Sequence, residues 1–138
     1  MTCVIDESVT MSWLLQDEHT PSSDHLFEQV GDAGAIVPSH WRLEIANALL
    51  VAVKRKQINV ASRDFALASL KKLQIEVDSE TDDQAWTGTL HLADQHGLTI
   101  YDGAYLELAL RRRLPLATRD RDLASAAGLS GVTLLPTS

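Results

Sequence analysis

The chain has 138 residues, 45% of them hydrophobic and 5% aromatic, which is the size and apolar content of one ordinary domain with an aliphatic core. Its 12 basic and 19 acidic residues give a net charge of −7, which argues against a protein that holds nucleic acid by bulk electrostatic attraction. No apolar run reaches the roughly 18 residues of a membrane span, and no basic, then apolar, leader segment opens the chain. We therefore expect a single domain over residues 1–138, cytoplasmic and without a membrane anchor.

Short apolar runs alternate along the chain with segments of helical periodicity. In chain order the predicted elements are a strand at 2–5, a helix opening at Asp6, a helix capped by Pro21 to Asp24 and running to about Val30, a strand at 35–37, a helix from Pro38 to about Lys56, a helix at 61–73, a strand at 74–78, a helix at 80–96, a helix from Asp102, a strand at 114–118, a helix at 120–127 and a strand at 132–135. Gly31 to Gly34 are predicted to break the second helix. Alternating strands and helices require crossover connections, so the pattern predicts an α/β fold with a mainly parallel sheet covered by helices on both faces.

Four acidic residues stand beside apolar sequence or at junctions between a strand and a helix: Asp6, Glu44, Asp102 and Asp120. Ligands of an open parallel sheet bind outside the carboxyl ends of its strands, where Asp6 and Asp120 are predicted to lie. Two carboxylates about 4 Å apart repel each other by roughly 4 kcal/mol at an effective dielectric constant near 20. If the four converge, the arrangement requires a divalent cation or a shared proton.

Each acid also has a simpler interpretation. Asp6, Asp102 and Asp120 are suited to cap helix N-termini, where a carboxylate accepts hydrogen bonds from first-turn amides. Glu44 is harder to explain in this way, because it and Asn47 are the only polar residues between positions 43 and 53 and no Lys or Arg lies three or four residues away. The sequence therefore favours a functional role for Glu44.

The last acidic cluster contains Asp120, the expected primary ligand, and Asp122, which is either an accessory ligand or a plain first-turn acid. Thr118 precedes them and is suited to hydrogen-bond a carboxylate or a water. Five of the 12 basic residues lie between positions 111 and 121. The triplet 111–113 either complements a helix dipole, with Glu107 and Arg111 as a surface pair, or contacts RNA.

Four segments contain the four acids: Val4–Val9, Leu43–Leu49, Tyr101–Ala109 and Leu116–Leu123. In this order they resemble the motifs of PIN-domain proteins, specifically the VapC-type toxins of type II toxin–antitoxin systems. The resemblance implies a PIN-like three-layer α/β/α fold and an endoribonuclease that depends on Mg²⁺ or Mn²⁺ and is restrained by a partner antitoxin. By position, Asp6, Glu44, Asp102 and Asp120 form its acidic active site, with Asp6 and Asp102 as direct metal ligands. Glu7 and Gly103 stand where a small residue and an alanine are common.

The residue types suit this chemistry. Mg²⁺ takes oxygen ligands and keeps several waters, so two direct carboxylates with further acids nearby are sufficient. Ser8, Asn47 and Thr118 are expected as accessory groups, and Arg119 or Arg121 as contacts to an RNA phosphate flanking the cut. We also expect a homodimer, with Trp13 and Trp41 packed in the core or at an interface rather than stacked on bases.

Two other functions fit the sequence less well. A magnesium-dependent phosphatase of the haloacid-dehalogenase type would place a second Asp two residues after the first, where this chain has Ser8. A catalytically inert PIN-fold module would serve only to bind a partner, and the presence of all four acids argues against it. The single cysteine, Cys3, lies in an apolar run and is expected to be buried and inert.

Overall fold

Short strands alternate with helices in the computed structural model, which describes residues 3–15 and 18–137. The elements are β1 (Val4–Ile5), α1 (Glu7–Leu14), α2 (Pro21–Ala33), β2 (Ala35–Val37), α3 (Trp41–Lys54), α4 (Val60–Lys71), β3 (Ile75–Val77), α5 (Thr81–Gln84), a π-helical segment (Ala85–Thr89), α6 (Leu90–His96), α7 (Ile100–Arg112), β4 (Leu116–Ala117) and α8 (Arg121–Leu129). The predicted order of elements is confirmed up to α8. Thr2, the first residue of the predicted strand at 2–5, lies outside the described residues.

Within the described ranges, four strands form one parallel sheet in the order β3-β2-β1-β4. The predicted α/β fold with a parallel central sheet is confirmed. From β1 the chain proceeds to β2 and β3 on one side, whereas β4 pairs with β1 on the other. The crevice between the carboxyl ends of β1 and β4 is thus the switch point at which ligands bind in open α/β sheets.

The middle of the sheet is the centre of the hydrophobic core. Val4 and Ile5 of β1 are fully buried, as is Cys3 before them, and β2 and β4 are buried along their whole length. Such uninterrupted apolar strands are typical of parallel sheets covered on both faces. Trp13 and Trp41 are also buried, which confirms their predicted packing role.

The second helix is longer than predicted at its C-terminus. Helix α2 continues through Gly31 to Ala33 and ends at Gly34, which has φ of +78° and donates its backbone N–H to the Val30 carbonyl at 2.8 Å. One exposed glycine inside a helix costs only about 1 kcal/mol, so Gly31 alone does not stop it. At the other end the cap is Thr20, not Pro21 to Asp24, because Thr20 and Ser23 exchange side-chain hydrogen bonds with each other's backbone.

The predicted last strand at 132–135 is wrong. Only Leu134 forms a bridge, parallel to Leu116 at the outer edge of β4, and the residues on either side of it are in no regular secondary structure. Gly131 has φ of +81° and directs the chain out of α8, which leaves too short a run beside the two-residue strand β4 to build a ladder. In the part of the chain that the structure describes, no helix has the length and apolar character to cross a membrane.

The predicted pair between Glu107 and Arg111 is present, but it belongs to a larger network and is not an isolated surface pair. The Arg111 guanidinium binds Asp78 (2.7 Å), Glu107 (2.6 Å) and Glu80 (3.1 Å). Asp78 and Glu107 are only 4% and 6% exposed, whereas the Glu80 side chain is 57% exposed, so a network buried on one side joins the end of β3 to α7. The neighbouring Arg112 instead pairs loosely with the exposed Glu76 at 3.5 Å.

Candidate acidic site

Asp6 lies in the switch-point crevice, between β1 and the N-terminus of α1. Its Oδ1 accepts hydrogen bonds from the Val9 amide (3.0 Å) and the Ser8 hydroxyl (2.7 Å), and its Oδ2 accepts one from the Thr118 hydroxyl. The side chain therefore caps α1, as the simpler interpretation predicts, and also reaches across to the loop that follows β4. At 4% exposure it is the most deeply buried of the four acids.

Thr118 connects Asp6 to Asp120. Its hydroxyl donates to Asp6 and accepts a hydrogen bond from the Asp120 backbone N–H at 3.0 Å. A second link runs through Ser8, whose hydroxyl donates to Asp6 and accepts from the Arg119 backbone N–H at 2.9 Å. These two hydroxyls fix the first and last acidic motifs against each other, although 112 positions separate Asp6 from Thr118 along the chain.

Asp120 caps α8, with its Oδ1 accepting from the Leu123 amide at 2.9 Å. Asp102, in contrast, is not a helix cap. Helix α7 begins at Ile100 and is capped by Thr99, whose hydroxyl accepts the Asp102 amide at 3.1 Å. The carboxylate of Asp102 thus needs another explanation than capping, which strengthens the case for a functional role.

Gly103, next to Asp102, lies where α7 meets the preceding helical segment. A Cβ built on it would lie 3.2 Å from the Thr89 carbonyl oxygen and 3.2 Å from Cβ of Ala93. The absence of a side chain therefore allows the first turn of α7 to approach α6 and the π-helical segment closely. This contact explains the glycine at a position where the sequence motif commonly has alanine.

Glu44 projects from α3 toward α7. Its Oε1 accepts a hydrogen bond from the Tyr105 hydroxyl at 2.5 Å, and the His40 Nε2 lies 3.3 Å away. One carboxylate oxygen of Glu44 is thus held by Tyr105, and the side chain as a whole remains 30% exposed. The helix itself is less buried than its apolar sequence indicates, since Leu43 is 75% exposed and Leu50 46% exposed.

The acids act on one another electrostatically. Burial raises the pKa of Asp6, and the charge of Asp120 raises it further against the opposing effect of three hydrogen bonds. Burial raises the pKa of Asp102 to about 6, with added repulsion from Asp120, Asp6 and Glu44. The pKa of Glu7 is raised to about 7, mainly by burial and to a smaller extent by the negative charges of Asp6 and Glu44. Glu7 is thus a fifth carboxyl group within the field of the predicted four.

The pKa of Glu7 predicts a change in stability with pH. Because its folded-state pKa of about 7 lies above the 4.5 of an unperturbed glutamate, this group's contribution to stability is full below about pH 4 and is lost as pH rises through 7. In metal-free protein at pH 8, we expect Glu7→Gln to raise the free energy of unfolding by about 1–2 kcal/mol, after allowing for partial exposure to solvent. Urea unfolding in EDTA measures this.

At pH 4.5 the same substitution should have almost no effect, because Glu7 is then protonated in the folded protein. Glu28→Gln on the exposed face of α2 is the matched control and should be neutral at both pH values. An equal gain in the two variants at pH 8 would mean that only net charge is relieved, not a local repulsion.

The PIN domain family model matches residues 3–129. This chain belongs to the PIN domain family. Among solved structures it is similar to PAE2754 from Pyrobaculum aerophilum, with 20% identity, coverage of 97% of this chain and 83% of that one, and a TM-score of 0.70. It is also similar to a toxin–antitoxin complex from Klebsiella pneumoniae (16% identity, 99% and 98% coverage, TM-score 0.61) and to FitAcB from Neisseria gonorrhoeae (16%, 97% and 96%, 0.62). At these identities the likeness shows the fold alone. No curated protein sequence matches the chain significantly.

The PIN fold brings oxygen donors together here without assembling a finished metal cage. Within residues 3–15 and 18–137, no three His, Cys, Asp or Glu side chains are arranged to bind one ion. Carboxylate oxygens are nevertheless the donors that Mg²⁺ prefers. A bound cation would also reduce the electrostatic repulsion between Asp6, Asp102 and Asp120. The donor set therefore fits a divalent ion that completes its shell with water.

The accessory candidates differ in the contacts that their side chains make. Asn47 and Ser8 line, with Glu7 and Glu44, an open cavity of about 530 Å³ beside the site. Asp122 is exposed in the first turn of α8 and forms no hydrogen bond or ion pair with another described residue. Arg119 binds the Glu18 carbonyl at 3.2 Å and lies 3.8 Å from its carboxylate, whereas Arg121 is exposed and pairs with no described residue.

Sequence reasoning missed Tyr105 and placed Glu7 only as a departure from the PIN pattern. Tyr105 lies 61 positions from its partner Glu44, so no local spacing indicates their hydrogen bond. A tyrosine three residues after Asp102, on the same helical face, was the available signal. For Glu7, the signal was an acid placed directly after another acid at the start of α1.

Proposed function

We propose that this PIN-family protein is the toxin of a type II toxin–antitoxin system and a Mg²⁺- or Mn²⁺-dependent endoribonuclease. The observation that carries the proposal is the grouping of Asp6, Asp102 and Asp120 at the switch point of the sheet, where burial first, and then repulsion between these acids, raise the pKa values of Asp6 and Asp102. Among the described residues, no Lys or Arg forms an ion pair with these three or with Glu44. A bound divalent cation supplies the missing positive charge.

In this proposal Asp6 and Asp102 hold the ion directly, and Glu44 and Asp120 provide acceptor oxygens around it. The ion, when bound, lowers the pKa of a water and neutralises negative charge on the phosphodiester. Ser8 and Thr118 fix the orientation of the Asp6 carboxylate through their hydroxyl groups. The Asp6 carboxylate accepts three hydrogen bonds from this chain, so its orientation is fixed before a metal ion binds. This preorganisation lowers the free-energy cost of assembling the site.

RNA binding to a chain of net charge −7 requires local positive charge near the acids. Arg121 is the better of the two candidates, because its guanidinium is free of ion pairs with described residues, whereas Arg119 is engaged by Glu18. We propose that Arg121 contacts a phosphate beside the scissile bond. Asn47, which lines the adjoining cavity together with Glu44, is the accessory polar group there.

The proposed partner is an antitoxin protein, which is supported by similarity to a structure described as a toxin–antitoxin complex. A single domain over residues 1–138, a cytoplasmic location and a homodimer complete the proposal. Light scattering on purified protein measures the dimer. Growth arrest on expression, reversed by co-expression of the protein encoded beside it, tests the toxin role.

The decisive experiment for the nuclease is cleavage of total cellular RNA by purified, antitoxin-free protein. We expect discrete fragments with Mg²⁺ or Mn²⁺, none with EDTA, and recovery when excess metal is restored. A saturated site at about 100 times its dissociation constant should also stabilise the fold by roughly 2.7 kcal/mol. Folded protein that neither cleaves RNA nor gains thermal stability from Mn²⁺ would instead indicate an inert partner-binding module.

A further inference from the structure

Two residues of α3 and two of α7 form a compact contact beside the acidic site. His40 and Glu44 are four residues apart on α3, and Tyr101 and Tyr105 are four apart on α7, so each pair lies on one helical face. The His40 ring packs edge-on against Tyr105 (centroids 5.2 Å apart, planes at 74°) and against Tyr101 (5.6 Å, 62°). The ring of Tyr105 is thereby held against α3 from one side.

The hydroxyl of Tyr105 is directed at a single oxygen of Glu44. It donates to Oε1 at 2.5 Å, while Oε2 accepts no hydrogen bond from a described residue. Burial of Tyr105, followed by the nearby charge of Glu44, raises its pKa above the usual range, so the hydroxyl stays a donor. The two oxygens of Glu44 are consequently different, one fixed and one available.

His40 restricts the same oxygen from another direction. Its Nε2 is buried, lies 3.3 Å from Oε1 and forms no hydrogen bond with the described part of the chain. Rotation of the Glu44 carboxylate is therefore limited by Tyr105 on one side and by the imidazole on the other. Because Tyr105 stands one turn after Asp102, the bond also sets the position of Glu44 relative to that acid.

We propose that Tyr105, braced by His40, is a positioning residue that holds Glu44 Oε1 and presents Oε2 to a divalent cation at the acidic site. This inference rests on the proposed metal-dependent function and deepens it. Removing a hydrogen-bond partner of a group beside a metal typically costs 10–100-fold in metal affinity or activity. A tyrosine that merely joined two helices would change stability and leave metal binding unaltered.

The test is Mn²⁺ binding to the full chain by calorimetry, without RNA, in wild type, Tyr105→Phe and Tyr101→Phe. Tyr105→Phe keeps the ring that packs on His40 and removes only the hydroxyl. Tyr101→Phe is the matched control, because Tyr101 contacts the same His40 ring but is 61% exposed and its hydroxyl bonds to no described residue. We expect the Mn²⁺ dissociation constant to rise about tenfold in Tyr105→Phe and to stay within about twofold of wild type in Tyr101→Phe.

A double-mutant cycle shows whether the effect passes through Glu44. In a Glu44→Gln background, Tyr105→Phe should weaken Mn²⁺ binding by less than about twofold further, because the group that it positions is already neutral. RNA cleavage at sub-saturating Mn²⁺ should fall in parallel in Tyr105→Phe and recover when Mn²⁺ is raised. A loss of folding would not recover in this way.

The outcomes separate this inference from the proposed function. If Tyr105→Phe weakened Mn²⁺ binding tenfold but the wild-type protein cleaved no RNA, the nuclease would be rejected and the positioning role kept. Equal Mn²⁺ affinity in Tyr105→Phe and wild type, or an equal loss in Tyr101→Phe, would overturn the positioning role and leave the nuclease standing. A wild-type chain that binds no Mn²⁺ would overturn both.

Discussion

Asp6→Asn should reduce metal-dependent RNA cleavage by about 10³-fold, which corresponds to about 4 kcal/mol of transition-state stabilisation. The amide has nearly the size of the carboxylate but lacks its charge, and its nitrogen cannot accept the hydrogen bonds that Asp6 now receives on both oxygens. The variant should still fold, since burial already disfavours the charged form of this side chain. Cleavage rates and Mn²⁺-dependent thermal stabilisation measured on the same preparation separate chemistry from folding.

Asp32→Asn is the matched control. Asp32 is exposed at the end of α2, just before β2, and so lies at the amino ends of the strands, whereas the acidic site lies at their carboxyl ends. It should retain cleavage and the gain in stability with Mn²⁺. If Asp6→Asn kept both properties too, Asp6 would be only the cap of α1. If Asp6→Asn were already destabilised in EDTA by enough to account for its loss of activity, the role of Asp6 would be structural.

Arg111→Met should lower the free energy of unfolding by about 3–5 kcal/mol, the largest expected effect on stability outside the hydrophobic core. The methionine fills most of the volume but leaves Asp78 and Glu107, 4% and 6% exposed, without a counter-charge. Urea unfolding at pH 7 measures the loss. Arg112→Met is the control at the adjacent position, and its contact with exposed Glu76 at 3.5 Å is worth less than about 1 kcal/mol.

The pH dependence of that loss identifies its origin. Although burial opposes the shift, hydrogen bonds from Arg111 and Thr81 lower the pKa of Asp78 below the 3.8 of an unperturbed aspartate. A lowered folded-state pKa means that this stabilisation is present above about pH 4 and is lost as pH falls through the folded-state value. The difference between wild type and Arg111→Met should therefore shrink in acid. A difference that stayed constant from pH 7 to pH 3 would point to lost packing of the arginine stem.

The sequence indicated those parts of the fold that depend on local pattern. The fully buried run at Val4 and Ile5, the left-handed glycine after His96 and the acids following β1 and β4 each leave a signature within a few residues. From these signatures the parallel sheet and the acids at its carboxyl edge could be predicted. The PIN resemblance then supplied the prediction that these acids form one site, and the family match supports the PIN fold.

Features that depend on distant partners could not be read in this way. Arg111 looked like a surface residue because Glu107 is its only local partner, whereas Asp78 lies 33 positions away. Residues 132–135 have the composition of a strand, but pairing depends on the length of β4, which is a tertiary property. The start of α7 was misplaced by two residues because Thr99 and Asp102 are both good capping residues, and their competition is decided by packing.

Close packing at Gly103 restricts how this protein can be recombined with its relatives. Since a Cβ there would lie 3.2 Å from both the Thr89 carbonyl oxygen and Ala93, a first turn of α7 taken from a homologue with alanine at this position would press on residues 89–93. A functional chimera should therefore exchange residues 85–103 as one block. Exchange of the Asp102 turn alone would require residues 89–93 to shift beside the turn that holds the Asp102 carboxylate.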